Sequence, residues 1–314
     1  MKRLRFVLEA AAFRLLLLLA RITPRRLLLA AGSLAGRLAY HIDGRHRRIA
    51  LDNLARARPD LDPREAVRIA RGCWMHFGRI TFDTFAFPRL GREAIGRTVH
   101  YRGLEHIRAA YARGRGVLLF SGHFGHWELI ALMQGYLDLP LALIARPLDN
   151  PYLERLLHGL RSASGNRIIH KRQAVREMLR ALRAKLGVAI VLDQDAREDG
   201  VFVPFFGRPA STTPTLALLA LRCGAAVVPT YSIPQRDGSY LVVYEPELEI
   251  APTGDFQADV LRITARCTAT LEGWIREYPE LWLWMHRRWK TEPPENPGQP
   301  GGPRDPLANR ESAV

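Results

Sequence analysis

From residue 117 to residue 244, short apolar runs alternate with stretches of helical periodicity, and this alternation constrains the chain more than any other feature. Val117–Ser121, Leu141–Ala145, Val188–Leu192 and Ala226–Ile233 are too short for buried helices and are bounded by Gly, Pro or Asp, so they read as buried strands. Between them, Trp127–Leu137, Pro151–Ser164, Ala174–Lys185 and Pro214–Cys223 carry helical spacing. Such a succession predicts an α/β fold, with a mixed, largely parallel sheet flanked by helices. Arg167–His170 adds a short extended piece, and Tyr240–Tyr244 is expected as an antiparallel edge strand. Further helices are expected over Pro63–Phe85, Gly103–Arg113 and Ala258–Tyr278. Ile42–Pro63, with its Asp-Gly pair and two prolines, reads as an Arg-rich connector.

The 314 residues can bury a sizeable core, and a hydrophobic content of 47% excludes global disorder. Charge is unevenly spread. Residues 1–60 hold 13 Lys and Arg against 4 Asp and Glu, which is +9 of the total +15. A segment of that kind seeks either nucleic acid or an anionic membrane surface. The Leu/Ala-rich stretches Phe6–Leu19 and Leu27–Tyr40 decide for the membrane, because a nucleic-acid arm is polar throughout; no nucleic-acid partner is expected.

Arg14, Arg21, Arg25 and Arg26 leave no run approaching the ~18–20 uncharged residues that cross a bilayer. At ~100° per residue, Arg3, Arg14 and Arg21 share a narrow face, which suits a helix lying in the interface with its arginines towards lipid phosphates. Tilted insertion with snorkelling arginines, or a helical layer packed on the protein itself, would use the same residues. The apolar core Leu15–Ala20 is short, and no clean small-x-small site follows it, which argues against a signal peptide. The expected division is a membrane-associating helical segment over 1–45, a catalytic α/β domain over 46–290 and a disordered tail over 291–314. Cys73, Cys223 and Cys267 are odd in number and far apart, and read as reduced thiols.

The chemistry concentrates after the first of the aliphatic runs. Ser121-Gly-His-Phe-Gly-His-Trp-Glu128 places His123 just past a strand and Glu128 five residues later. On one continuous helix the two would sit about 140° apart, so they can meet only if His123 lies in a turn and Glu128 opens the next helix. Gly122 and Gly125 allow that turn. The bland alternative is a strand-turn-helix corner with an incidental surface histidine. His126, with His123, Glu128, Asp193 and Asp195, resembles a partial metal site, but no established ligand spacing matches and no metal or other cofactor is expected.

Asp193-Gln194-Asp195 follows another strand, where α/β enzymes keep catalytic carboxylates, although a polar turn would look the same. Gly200-Val-Phe-Val-Pro-Phe-Phe-Gly207 either lines an acyl pocket through Phe205 and Phe206 or is a hairpin plugged into the core. Arg146 and Arg161 are candidates for anion contact. Pro279–Lys290 carries three tryptophans among basic side chains, as a membrane-interface belt does, and equally as a core-packed helix end with a basic rim does.

In this order, Ser-Gly-His-Phe-Gly-His-Trp-Glu, Asp-Gln-Asp, Gly-Val-Phe-Val-Pro-Phe-Phe-Gly with Ser211-Thr212-Thr213, and Leu-Trp-Met-His-Arg-Arg-Trp-Lys resemble the bacterial lipid A biosynthesis acyltransferases. That group of lauroyl and myristoyl transferases includes phosphatidylinositol mannoside acyltransferase. The resemblance covers about residues 5 to 290. It implies a glycerolphosphate acyltransferase-like fold and an enzyme of the inner membrane whose catalytic domain faces the cytoplasm. The reaction would carry a fatty acyl group from an acyl carrier protein or coenzyme A thioester to a hydroxyl of a membrane glycolipid such as a lipid A precursor. By motif position, His123 is the general base, Glu128 its partner, and Arg161 and Asp193 further site residues; Asp195 and Arg146 are contacts for substrate. Glycerol-phosphate and lysophosphatidate acyltransferases share the His-x4-acid element but carry a Pro-Glu-Gly-Thr type element downstream, where this chain has Asp-Gln-Asp and Pro-Phe-Phe-Gly. A lysophospholipid or other polar-lipid acceptor is therefore the alternative, followed by a non-enzymatic basic protein that binds membranes or nucleic acid. Ser121 lies on the strand and is not expected to act as a nucleophile.

Overall fold

The aliphatic runs pair into one sheet because each is apolar on both faces and can be satisfied only with helices above and below. In a computed structural model, which describes residues 2–86, 92–139, 141–145, 148–162, 164–170 and 174–294, the strands are β1 (Val99–Arg102), β2 (Val117–Ser121), β3 (Leu141–Ala145), β4 (Arg167–His170), β5 (Gly187–Val191), β8 (Ala226–Pro234) and β9 (Tyr240–Tyr244). Their order is β1-β9-β8-β2-β5-β3-β4. Strands β8, β2, β5, β3 and β4 run parallel, and β9 with β1 runs opposite to them. A separate antiparallel hairpin joins β6 (Val201–Phe205) to β7 (Arg208–Thr212). Its two turn residues, Phe206 and Gly207, both have positive φ (52° and 70°), as a two-residue type I′ turn requires.

The pleat sends alternate side chains of β2 into two cores. Leu118 and Phe120 join Val188 and Ile190 on one face, beneath α9 (Ala174–Arg183), α10 (Thr215–Cys223) and α11 (Phe256–Glu277). Val117 and Leu119 join Ile107 of α6 (Leu104–Ala112) and Leu129, Ile130 and Met133 of α7 (Trp127–Tyr136) on the other. A short α5 (Arg92–Thr98) leads into β1, and α8 (Pro151–Ser162) links β3 to β4.

Four helices precede the sheet: α1 (Lys2–Ile22), α2 (Arg25–Ile42), α3 (Gly44–Ala57) and α4 (Pro63–Ala86). Helices α2 and α4 touch through glycine. A Cβ on Gly36 would stand 2.1 Å from the Trp74 carbonyl oxygen, and one on Gly78 would stand 2.2 Å from that of Gly32. Arg25 then ties the start of α2 to the buried Asp83 of α4 through two bonds of 2.7 Å. Among the described residues, no helix is long and apolar enough to cross a membrane.

Two expectations change. The connector expected over Ile42–Pro63 contains α3: the Asp43 side chain accepts from the His46 amide as an N-cap, and Ile49, Ala50, Asn53, Leu54 and Ala57 form its buried face. The Asp-Gly pair is the start of a helix rather than a turn. Strand β9 is antiparallel to β8 as expected but is not an edge, because β1 covers its outer side. Most of the disordered tail expected over 291–314 lies outside the described residues.

Candidate active site

The register of β2 and β5 builds the site. Ser121 at the end of β2 pairs with Val191 at the end of β5, and the two strands are parallel. Two residues further along each chain therefore emerge side by side at the carboxyl end of the sheet: His123 after β2 and Asp193 after β5. The His123 Nδ1 atom lies 2.9 Å from Asp193 Oδ1, and the His123 backbone N–H donates to Oδ2 at 2.7 Å. Trp282 donates its indole N–H to the same Oδ2 at 2.8 Å. The carboxylate is buried, with 3% of its residue surface exposed, whereas the His123 side chain keeps 20% of its own.

Electrostatics follow from that placement. Burial acts to lower the His123 pKa, but the charge of Asp193 and the hydrogen bond to it, helped by the charge of Glu128, outweigh burial and raise it above the ordinary 6.5. Burial would likewise push the Asp193 carboxyl up. The imidazole beside it and three N–H donors instead hold it well below the usual carboxylate range, so it is ionised at neutral pH. An ionised Asp193 accepts the hydrogen bond from Nδ1–H, which leaves Nε2 as the basic nitrogen. Gln194 places its side-chain nitrogen 3.4 Å from that Nε2.

The loop that carries His123 is held from behind. Gly125 takes φ +56°, where a Cβ would stand 1.9 Å from the Ser232 carbonyl oxygen, so glycine alone fits. Its N–H donates to the Leu281 carbonyl at 2.9 Å, and Leu283 donates back to the His123 carbonyl at 3.0 Å. The segment after α11 is thus stitched along the loop that carries His123, with Phe124 bridged to Trp282. The His76 Nε2 atom reaches the Gly125 carbonyl at 3.0 Å, and burial lowers the pKa of His76 to about 4, so the ring is neutral.

Several sequence expectations are redirected here. The carboxylate hydrogen-bonded to His123 is Asp193, not Glu128, because strand register brings the distant residue closer than the local one. Glu128 opens α7 and reaches the imidazole through its charge. His126 is buried and turned away: it packs edge-on against Tyr240 at 5.2 Å, and its Nδ1 accepts from the Leu129 amide to cap α7. Among the described residues no group of three or more His, Cys, Asp or Glu is placed to hold a metal ion.

Asp195 holds the far end of the chain, accepting from the Thr291 hydroxyl at 2.9 Å while its own N–H donates to His286 Nε2 at 3.0 Å. Phe205 is fully buried among Phe206, Trp282, Trp289 and the Arg288 guanidinium, and Phe206 packs against Trp284 and Arg276. The apolar loop is therefore the hairpin plugged into the core. The tryptophans are core as well, since Trp282 and Trp284 are 1% exposed and Trp289 8%. They form no interface belt. The backbone of Arg161 lies in α8; its side chain, and Arg146, lie outside the described residues. Nothing local in the sequence marks Trp282 for its hydrogen bond to Asp193.

A base oriented by a buried carboxylate at the end of a parallel strand fits general-base chemistry of many kinds, and comparison with known proteins narrows it. The family model for bacterial lipid A biosynthesis acyltransferase matches residues 4–291. The chain belongs to that family. It is 31% identical to the lipid A biosynthesis lauroyltransferase of Escherichia coli (strain K12) over 261 residues, 82% of this chain and 83% of that one. It is 28% identical to the lipid A biosynthesis palmitoleoyltransferase of the same organism, over 86% of this chain and 87% of the relative. To the phosphatidylinositol mannoside acyltransferase of Mycolicibacterium smegmatis it is 26% identical, over 76% and 77%. The protein is an acyltransferase, and the site must accommodate transfer of an acyl group.

Proposed function

We infer that the protein transfers a fatty acyl group from a thioester of acyl carrier protein or coenzyme A to a hydroxyl of a lipid A precursor, at the cytoplasmic face of the inner membrane. The observation that carries the mechanism is the His123–Asp193 pair at the adjoining ends of β2 and β5. With Nδ1–H held by Asp193, His123 Nε2 takes the proton from the acceptor hydroxyl as its oxygen attacks the thioester carbonyl. The tetrahedral intermediate collapses to the new ester and expels the thiolate, which takes up a proton. Asp193 and, more weakly, Glu128 stabilise the imidazolium formed on the way. A thiolate leaves readily, so direct transfer needs no covalent enzyme intermediate. Membrane association is supported by exposed leucines on α1 and α2, among them Leu4, Leu8, Leu15, Leu27, Leu34 and Leu38. The domain boundaries near residues 45 and 290 and the anion-binding roles of Arg146 and Arg161 belong to the same reading.

The test is mass spectrometry of the lipid product formed by purified protein from acyl thioester and a lipid A precursor, with a lysophospholipid as competing acceptor. His123→Ala is expected to lower turnover by at least ~10³-fold without loss of fold. Full activity of that variant would remove the mechanism, and exclusive acylation of the lysophospholipid would replace the acceptor.

A further inference from the structure

A second basic feature lies at the same end of the sheet as His123 and has no part in the chemistry above. Strand β8 runs parallel to β2, so the turn between β8 and β9 emerges at the carboxyl edge where His123 stands. A groove there is lined by Arg26 and Ser33 of α2, Arg79 of α4, and Arg236, Asp237 and Gly238 of the turn. Three arginines from three separate elements thus line it. Among the described residues none of the three forms an ion pair with a carboxylate, and the Arg79 Nε is buried with no hydrogen-bond partner. Among the described residues the carboxylate in the groove pairs with none of them. Asp237 is turned to Ser239, accepting from its N–H at 2.8 Å and its hydroxyl at 2.7 Å. The neighbouring Arg25 is already engaged, by Asp83 and by the Gly238 carbonyl.

We propose that this groove binds the phosphate of an anionic phospholipid within the bilayer. Three arginines and one carboxylate leave a net positive site, and guanidinium forks match the oxygens of a phosphate. The lipid origin of that phosphate follows from the helix beside it. Arg26, Ala30 and Ser33, spaced i, i+4, i+7, line the groove. Leu27, Leu34 and Leu38, spaced i, i+7, i+11, form the adjacent stripe of α2 and are 60%, 57% and 54% exposed. A headgroup in the groove would lay its acyl chains along that stripe and hold the catalytic end of the sheet towards the membrane. The inference rests on the membrane reading given above.

The experiment measures binding of the full-length protein to vesicles of phosphatidylcholine alone and of phosphatidylcholine with phosphatidylglycerol. Wild type is expected to prefer the anionic vesicles by tenfold or more. The double variant Arg26→Gln, Arg236→Gln, both exposed positions, should lose most of that preference while binding neutral vesicles within twofold of wild type. Arg79→Lys, which keeps the charge but not the fork, should fall between. A control of equal charge loss on α3, Arg45→Gln with Arg48→Gln, should keep the preference; an equal loss there would show diffuse electrostatics and overturn the site. So would an undiminished preference in the groove variant, or stabilisation by inorganic phosphate that depends on Arg236 without any vesicle preference. Wild type that binds neither vesicle would remove the membrane reading itself, which separates that failure from failure of the groove.

Discussion

His123 and Asp193 are 70 residues apart in the chain and 2.9 Å apart in space, and in the proposed mechanism that contact sets the pH dependence of the reaction. The base works in its neutral form, so kcat/KM should rise with pH through the raised pKa of His123. Asp193→Asn removes the charge and leaves burial as the dominant influence, which lowers the pKa. The acid limb of the profile should then move to lower pH, while the plateau falls by roughly 10²- to 10⁴-fold because the tautomer and the imidazolium are no longer supported. An acid limb that stays in place would mean that Asp193 does not govern the base. Trp282→Phe keeps the bulk and deletes one donor to the buried carboxylate, a hydrogen bond worth roughly 1.5–3 kcal/mol. Its Asp193 should become more basic and draw the imidazole proton more strongly, so the acid limb should move the opposite way, with KM little changed. Sequence spacing exposed both members of the pair, since each follows a strand, but not their partnership. Glu128 was the local candidate, and only the Ser121–Val191 register, a property of the folded sheet, brings Asp193 closer.

At the level of elements, what repeats along the chain was legible and what depends on a neighbour was not. Strands β2, β3, β4 and β9 follow from their aliphatic runs with the observed ends. Helix α3 was hidden because Asp-Gly signals a turn and a helix start alike; the choice was made by tertiary burial of Leu54 and by Asn53, whose amide donates to the Trp284 and His286 carbonyls at 2.7 and 2.6 Å. Strand β1, Val-His-Tyr-Arg, has no aliphatic pair to mark it, unlike the equally short β4, and exists because β9 offers it an edge. The close approach of α2 to α4 through Gly32, Gly36 and Gly78 was likewise invisible until the helices were paired. It yields a direct expectation for Gly36→Ala. The added Cβ would meet backbone 2.1 Å away, which no rotamer can relieve, so the helices must separate. A loss of about 1–3 kcal/mol in denaturant unfolding is expected, and a neutral result would show that the α2–α4 seam is looser than described.

For the whole molecule the decisive feature is asymmetry. The His123–Asp193 pair, the arginine groove and the turn between β8 and β9 lie at one end of the sheet, and the basic N-terminal helices carry most of the exposed large apolar side chains. On α1, Leu4, Leu8, Leu15, Leu19 and Ile22 recur at helical spacing and are 45–75% exposed, with no protein surface over them. A soluble domain has no reason to leave such a stripe bare, whereas a helix lying in a bilayer interface gains from every leucine it immerses. If each leucine contributes about 1 kcal/mol on partial immersion, roughly half of what full burial gives, then Leu15→Asp with Leu19→Asp should weaken partition into neutral vesicles by about 30-fold or more. Because both side chains face outward, thermal stability and turnover of a detergent-dispersed acceptor should stay near wild type. Flotation with lipid measures the first quantity, and an assay in detergent the second. Unchanged flotation would mean that α1 does not enter the interface, and equal loss in both assays would mean that the stripe serves the fold rather than the membrane.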